Sequence, residues 1–176
     1  WAISSNNGKY RHMTGYAYPV PSDYSLLNIR TGATQPLATA SGHGFALAPN
    51  GKFLLSFDGK DWHTVSIPEG KKVNLTAKLG VKFFEEDYDS PSDPPAYGTV
   101  HWAADGKHVL LSDRYDIWKV AADGSGAENL TQTGRTQGVR FTLLRPRSPD
   151  DRSPTERTIE RARSSVSSIV TSPMSG

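Results

Sequence analysis

A chain that repeats itself is confined to architectures made by stacking one unit, and this chain repeats at a shift of 55 residues. Asn50-Gly51-Lys52 returns as Asp105-Gly106-Lys107. At the same shift Leu54 meets Val109, Leu55 meets Leu110, Asp58 meets Asp113, Asp61 meets Asp116 and Val65 meets Val120. The series closes with Asn74-Leu75-Thr76 against Asn129-Leu130-Thr131, with no gap opened on the way. An earlier copy is less regular. Asn7-Gly8-Lys9 resembles the turn at a shift of 43, and Asp23 to Ile29 with Gly32 resembles Asp61 to Ile67 with Gly70 at a shift of 38.

The unit reads as four short strands. Phe45 to Pro49 and Val100 to Ala104 are apolar runs that end at a turn. Asn50-Gly51 and Asp105-Gly106 suit a two-residue hairpin turn, because these residues tolerate positive φ. An apolar strand follows in each copy, Lys52 to Phe57 and Lys107 to Ser112. Asp61 and Asp116 then mark a turn into a third strand. In its first copy Trp62, Thr64 and Ser66 alternate against His63, Val65 and Ile67. A glycine turn leads to Asn74-Leu75-Thr76 and Asn129-Leu130-Thr131, the fourth strand. Four antiparallel strands per unit of this size make a propeller blade.

The expected fold is therefore all-β: a partial β-propeller of about three four-stranded antiparallel blades, with a C-terminal tail holding a short helix. Blades are expected over roughly 1–41, 42–99 and 100–144, and the tail over 145–176. The surplus in the second unit, Lys78 to Tyr97, contains three prolines and five acids between Phe83 and Pro95 and reads as a loop between blades. In the tail, Ser153-Pro154-Thr155-Glu156 forms a capping box, and Ile159, Ala162, Val166, Ile169 and Val170 fall at helical spacing, so a marginal helix is expected in a mostly disordered segment. An open arc would leave strand edges and blade faces uncovered, so self-association is expected unless further blades complete a ring.

Composition excludes several chemistries. Cys is absent, so there is no disulfide, thiolate nucleophile or Cys-based metal site. A formal charge of +2 offers no global field for nucleic acid. The Arg-rich tail is diluted by Asp150, Asp151, Glu156 and Glu160 and lacks aromatic stacking groups. No apolar run is long enough to cross a bilayer, and no signal segment leads from Trp1. A Cys-free chain suits a periplasmic or extracellular protein and also a cytosolic one; the first is the expectation.

The repeat, with the run Tyr88-Asp89-Ser90-Pro91-Ser92-Asp93-Pro94-Pro95-Ala96-Tyr97-Gly98 and the segment Asp113-Arg114-Tyr115-Asp116-Ile117-Trp118, resembles the N-terminal propeller of prolyl oligopeptidase-family serine peptidases (dipeptidyl-, acylaminoacyl- and oligopeptidase-like). Val139-Arg140-Phe141 continues the likeness, which spans roughly 1–144 and is most specific between Leu75 and Phe141. The resemblance implies a propeller that gates peptide entry to an α/β-hydrolase domain carrying the catalytic Ser, Asp and His. That domain is not in this chain. The implied partners are the hydrolase domain, the remaining blades and a peptide substrate. No cofactor is implied. The alternative is a stand-alone periplasmic or extracellular binding propeller.

Single motifs are weighed against plainer readings. No glycine starts Gly-x-Ser-x-Gly, and Gly124-Ser125-Gly126 sits in a repeat turn, so no catalytic residue is expected in this chain. His12, His43, His63, His101 and His108 lack the spacing of a zinc site. The acids between Glu85 and Asp93 lack the glycine and terminal Glu of a calcium loop, so no metal is expected. The family likeness sets this loop near the channel or the hydrolase face, which makes Glu85 and Glu86 candidates for touching a peptide. Arg114 is a candidate carboxylate clamp, because Gly59 stands at its repeat position and a functional group should be unique to one blade. Asn50, Gly51, Asp105, Gly106, Asp61 and Asp116 recur, which marks them as turn chemistry. Recurrence gives the two Asn-Leu-Thr sequons the same reading. Trp1, Trp62, Trp102 and Trp118 are expected to pack between blades.

Overall fold

The computed structural model describes residues 1–16, 19–143 and 170–173. The chain is all-β and forms an arc of antiparallel sheets, a partial β-propeller. The N-terminal sheet has three strands in the order β1 (Ala2–Asn6), β2 (Ser22–Leu27), β3 (Thr34–Ser41). The second runs β4 (Phe45–Leu47), β5 (Phe53–Phe57), β6 (Trp62–Ser66), β7 (Lys72–Asn74). The third repeats that plan with β8 (His101–Trp102), β9 (His108–Ser112), β10 (Ile117–Ala121) and β11 (Ala127–Asn129). A four-residue helix, α1 (Gly134–Gln137), ends at Gly138 in the left-handed region and leads to β12 (Val139–Thr142). β12 pairs with β13 (Val170–Pro173) as a fourth, two-stranded sheet. The capping box at Ser153 lies outside the described residues. Val170, assigned above to a helical stripe, instead opens a strand.

The 55-residue shift is written into the backbone. The N–H of Ile67 donates to the Lys52 carbonyl and that of Ala122 to Lys107, both at 2.8 Å. Leu75 donates to Trp62 as Leu130 does to Ile117, again at 2.8 Å. Asn74 Oδ1 accepts the N–H groups of Thr76 and Ala77, and Asn129 Oδ1 those of Thr131 and Gln132. The sequon asparagines thus serve as turn acceptors. Thr76 Oγ1 donates to Asp61 at 2.8 Å and Thr131 Oγ1 to Asp116 at 2.6 Å, while the same hydroxyls accept from Trp62 N and Ile117 N.

The turns at Asn50-Gly51 and Asp105-Gly106 are longer than the two-residue hairpins expected. Gly51 N bonds Ala48 O and Gly106 N bonds Ala103 O, and Ala48 and Ala103 then pair with Phe53 and His108. In each turn only the glycine has positive φ, 68° and 62°. Asn50 and Asp105 contribute their side chains, whose Oδ1 atoms accept from Lys52 N and Lys107 N. This is a four-residue loop closed around one β-turn, with glycine taking the left-handed position.

The shift of 38 is equally visible: Gly32 N bonds Asn28 O as Gly70 N bonds Ser66 O, with φ of 73° and 71° at the glycines. Consequently β2 and β3 correspond to β6 and β7, and β1 corresponds to β5. Among the described residues no strand equivalent to β4 joins the N-terminal sheet, which shows three strands where four were expected. Asn7-Gly8 falls after β1, so it is not the counterpart of Asn50-Gly51. It opens a 3-10 helix (Gly8–Met13) instead.

Two shared cores tie the arc together. Leu55, Phe57, Trp62, Trp102, Val109, Leu111 and Val120 pack between the second and third sheets. Thr64 Oγ1 crosses that seam to the Ala122 carbonyl at 2.6 Å. Leu26, Leu54 and Ile67, with Ile3 and Phe45, pack between the first and second. The outward face of the N-terminal sheet carries Ser4, Asn6, Ser25 and Thr34 beside Ala2, Leu27 and Pro36, with Ser4, Asn6, Thr34 and Pro36 exposed. This face mixes polar and apolar side chains, and Tyr16 and Ile29 of the same unit are exposed. Trp1, expected between blades, is 39% exposed.

Candidate functional site

The surplus segment after β7 supplies the site. Its base is locked: Phe83 is buried and sits edge-on to Trp118, and Phe84 bridges to Ala96. Glu85 N bonds Pro95 O and Tyr97 N bonds Phe83 O, so residues 85–95 form an excursion closed at the neck. Its tip folds back onto the second sheet. Asp93 lies beside the turn at Gly59, so close that a Cβ on that glycine would stand 3.0 Å from Asp93 Cβ.

Between this excursion and the second sheet lies a pocket of about 690 Å³. Strands deliver its walls by alternation: Ala46 from β4, Leu55 and Phe57 from β5, and Trp62 from β6. Pro95 and Tyr88 close it from the excursion. Phe57 and Trp62 stack with ring centroids 5.0 Å apart. Polar groups gather at one side. His43 Nε2 stands 3.8 Å from Asp93 Oδ2, and the imidazole meets Phe57 edge-on at 5.5 Å. Tyr88 and Ser92 share a 2.8 Å hydrogen bond, and bonding to Ser92 and then Ser90 lowers the Tyr88 pKa. An adjoining depression of about 540 Å³ shares His43, Tyr88 and Asp93 and extends to Tyr16 and Ala40.

One feature is chemically unfinished. The Trp62 indole N–H is buried with no hydrogen-bond partner, as are Trp102 Nε1 and His63 Nδ1. His63 Nδ1 is 3.4 Å from Asp58 Oδ2, an ion-pair distance with poor hydrogen-bond geometry. Of the three, Trp62 lines the pocket.

The residues singled out from sequence fall elsewhere. Arg114 turns onto the excursion's flank. Its guanidinium meets Asp87 at 2.7 and 3.2 Å and Glu86 at 4.0 Å. Burial works against that charge, but Asp87 outweighs it, and the Arg114 pKa is raised. Glu86 also holds Lys82 at 3.2 Å, and its backbone N–H donates to the Tyr97 hydroxyl. Arg114 and Glu86 thus bind each other's neighbourhood, while neither they nor Glu85 line the pocket. Asp116 is buried, accepting Thr131 Oγ1 and Gly134 N; Asp61 accepts Thr76 Oγ1. Asn50 Nδ2 reaches the Asp105 carbonyl, joining the two repeat turns. Among the described residues no cluster of three or more His, Cys, Asp or Glu is placed to hold a metal ion, and no helix is long and apolar enough to cross a membrane.

Sequence reasoning passed over His43 as an ordinary turn residue and took Trp62 as packing alone. The available signal was the Ser41-Gly42-His43-Gly44 run, whose two glycines let the chain pass close to Pro19 and Tyr24.

Among solved structures, TolB from Acinetobacter baumannii superposes with a TM-score of 0.39 at 10% identity, covering 70% of this chain and 29% of that one. The chain therefore spans under a third of that protein's length. No protein-family profile and no curated protein matches the chain.

Proposed function

We propose that this chain is the non-catalytic propeller portion of a prolyl oligopeptidase-like serine peptidase, gating peptide access to a hydrolase domain outside these residues. The observation that carries the reading is the closed-neck excursion 85–95. The run from Tyr88 to Gly98, on which the family resemblance rests, roofs an apolar pocket of a size suited to a few peptide residues. The catalytic role belongs to the partner domain, because no nucleophile elbow occurs between Trp1 and Gly176. Labelling the full product of the source gene with a fluorophosphonate tests this. One labelled serine outside residues 1–176 is expected, and a product that ends without a hydrolase domain refutes it.

The second reading is a stand-alone periplasmic or extracellular binding propeller. In that case the same labelling finds no reactive serine, and the pocket is the protein's working surface.

A further inference from the structure

We infer that the free edge of β1 is the seat of a fourth strand, supplied by the longer polypeptide of which this chain is a part and carrying a large apolar residue opposite Ala2. This rests on the part of the proposed function that sets further chain outside residues 1–176. The repeat shows what the first unit lacks. At the shift of 38, Leu26 stands where Thr64 stands, and these two pair with Ile3 and Leu55. Ile3 therefore holds the place of Leu55, Ala2 that of Leu54 and Ser4 that of Ser56. In the second sheet those three residues pair on their other side with Ala46, Leu47 and Phe45 of β4. In the third, Leu110 and Val109 pair likewise with His101 and Trp102 of β8. β1 has β2 on one side and, among the described residues, no strand on the other.

The sequence of β1 leaves that edge open to pairing. Free strand edges are ordinarily defended by shortness, charge, proline or a bulge. β4, β7, β8 and β11 have only two or three residues. β3 contains Pro36 and shifts register against β2, β12 carries Arg140, and β13 ends at Pro173. β1, with five residues from Ala2 to Asn6, has no charge, no proline and an unbroken register. The edge also selects its occupant. Because β1 matches β5, β4 reaches one strand further than β1 does, and Ile3 and Phe45 share the seam between them. The free edge is thus recessed beside β4 by about 4.8 Å, one strand spacing. A single extended segment fits that recess. A second folded copy pairing there about a two-fold axis would bring its own β4 into the place held by the second sheet. Opposite Ala2 lies the position that Leu47 and Trp102 fill in the other units, and a large apolar residue there would cover Ala2 and Leu27.

The experiment follows amide hydrogen exchange along β1 in the 176-residue chain and in the full product of the source gene. The β1 N–H groups that point away from β2 are expected to exchange freely in the first and about a hundredfold more slowly in the second. A capped peptide with the β4 sequence, Gly44 to Pro49, serves as a strand supplied from outside. At millimolar concentration it is expected to slow the same groups about tenfold in the 176-residue chain and to leave β7 and β11 unchanged. The same peptide N-methylated from Phe45 to Ala48 keeps the side chains but lacks the strand donors, and no effect is expected from it. The inference is overturned if β1 exchanges equally fast in the full product, if the plain peptide leaves it unchanged, or if the methylated peptide acts as well. It is also overturned if β1 is protected in the 176-residue chain alone and more so as concentration rises, which assigns the edge to a second copy. A full product with a labelled serine and an unprotected β1 sinks this inference and leaves the peptidase reading standing. A product with no chain outside residues 1–176 overturns both.

Discussion

Asp116 and Arg114 stand two residues apart and differ in everything that sets the cost of losing them. Asp116 is buried and its Oδ1 accepts from the Thr131 hydroxyl at 2.6 Å and Gly134 N at 2.9 Å. Asp116→Ala leaves the Gly134 N–H buried without an acceptor and removes the short bond from the Thr131 hydroxyl, and a loss of about 2 kcal/mol in urea unfolding is expected. Arg114 holds an exposed Asp87, an ion pair whose contribution water and salt reduce. Arg114→Ala is expected to leave the urea midpoint within error, and a large drop would assign that pair a role in the core. Asp23 gives the pH dependence. Hydrogen bonds from Lys9, then Tyr10, then the Ala40 N–H lower its pKa from 3.8 to about 2. A carboxylate depressed on folding stabilises the fold above its unfolded pKa and loses that contribution as pH falls through the folded value. The melting temperature is therefore expected to fall between pH 4 and pH 2, with Asp23→Asn flattening part of that fall in calorimetric scans.

At the scale of elements, the repeat turns are the sharpest test. Gly51 and Gly106 share the left-handed conformation, but a Cβ on Gly51 meets open space while one on Gly106 would stand 2.5 Å from Asn50 Cγ. Gly51→Ala is expected to cost about 1–2 kcal/mol from backbone strain alone. Gly106→Ala is expected to cost more, because it also displaces the Asn50 side chain that bonds Asp105. Equal losses in denaturant titrations would mean the two turns do not touch. These elements were readable in the sequence because their chemistry is local: Asp61, Thr76 and Asn74 recur at one shift and bond within one unit. The turn length was misjudged because Asn-Gly marks a left-handed position without fixing which residue occupies it. The pocket was not readable, since His43, Trp62 and Asp93 come from three separate segments with no shared spacing. Nor was the pairing of Arg114, whose partner Asp87 lies 27 residues away across two units.

For the whole molecule, stability rests on the seams between sheets. Leu55 is 1% exposed in the seam between the second and third sheets, and Leu55→Ala is expected to cost about 2–5 kcal/mol. The central claim is that consecutive antiparallel units of one register stand side by side, each with its own strand edges. Cross-strand proton contacts in solution test it most directly. Contacts linking Leu54 with Val65 and Val109 with Val120 are predicted, together with Thr64–Val73 in the second sheet and Lys119–Glu128 in the third. Helical contacts through β5 or β9, or strand pairing between β7 and β8 that seals the sheets into one barrel, would contradict it.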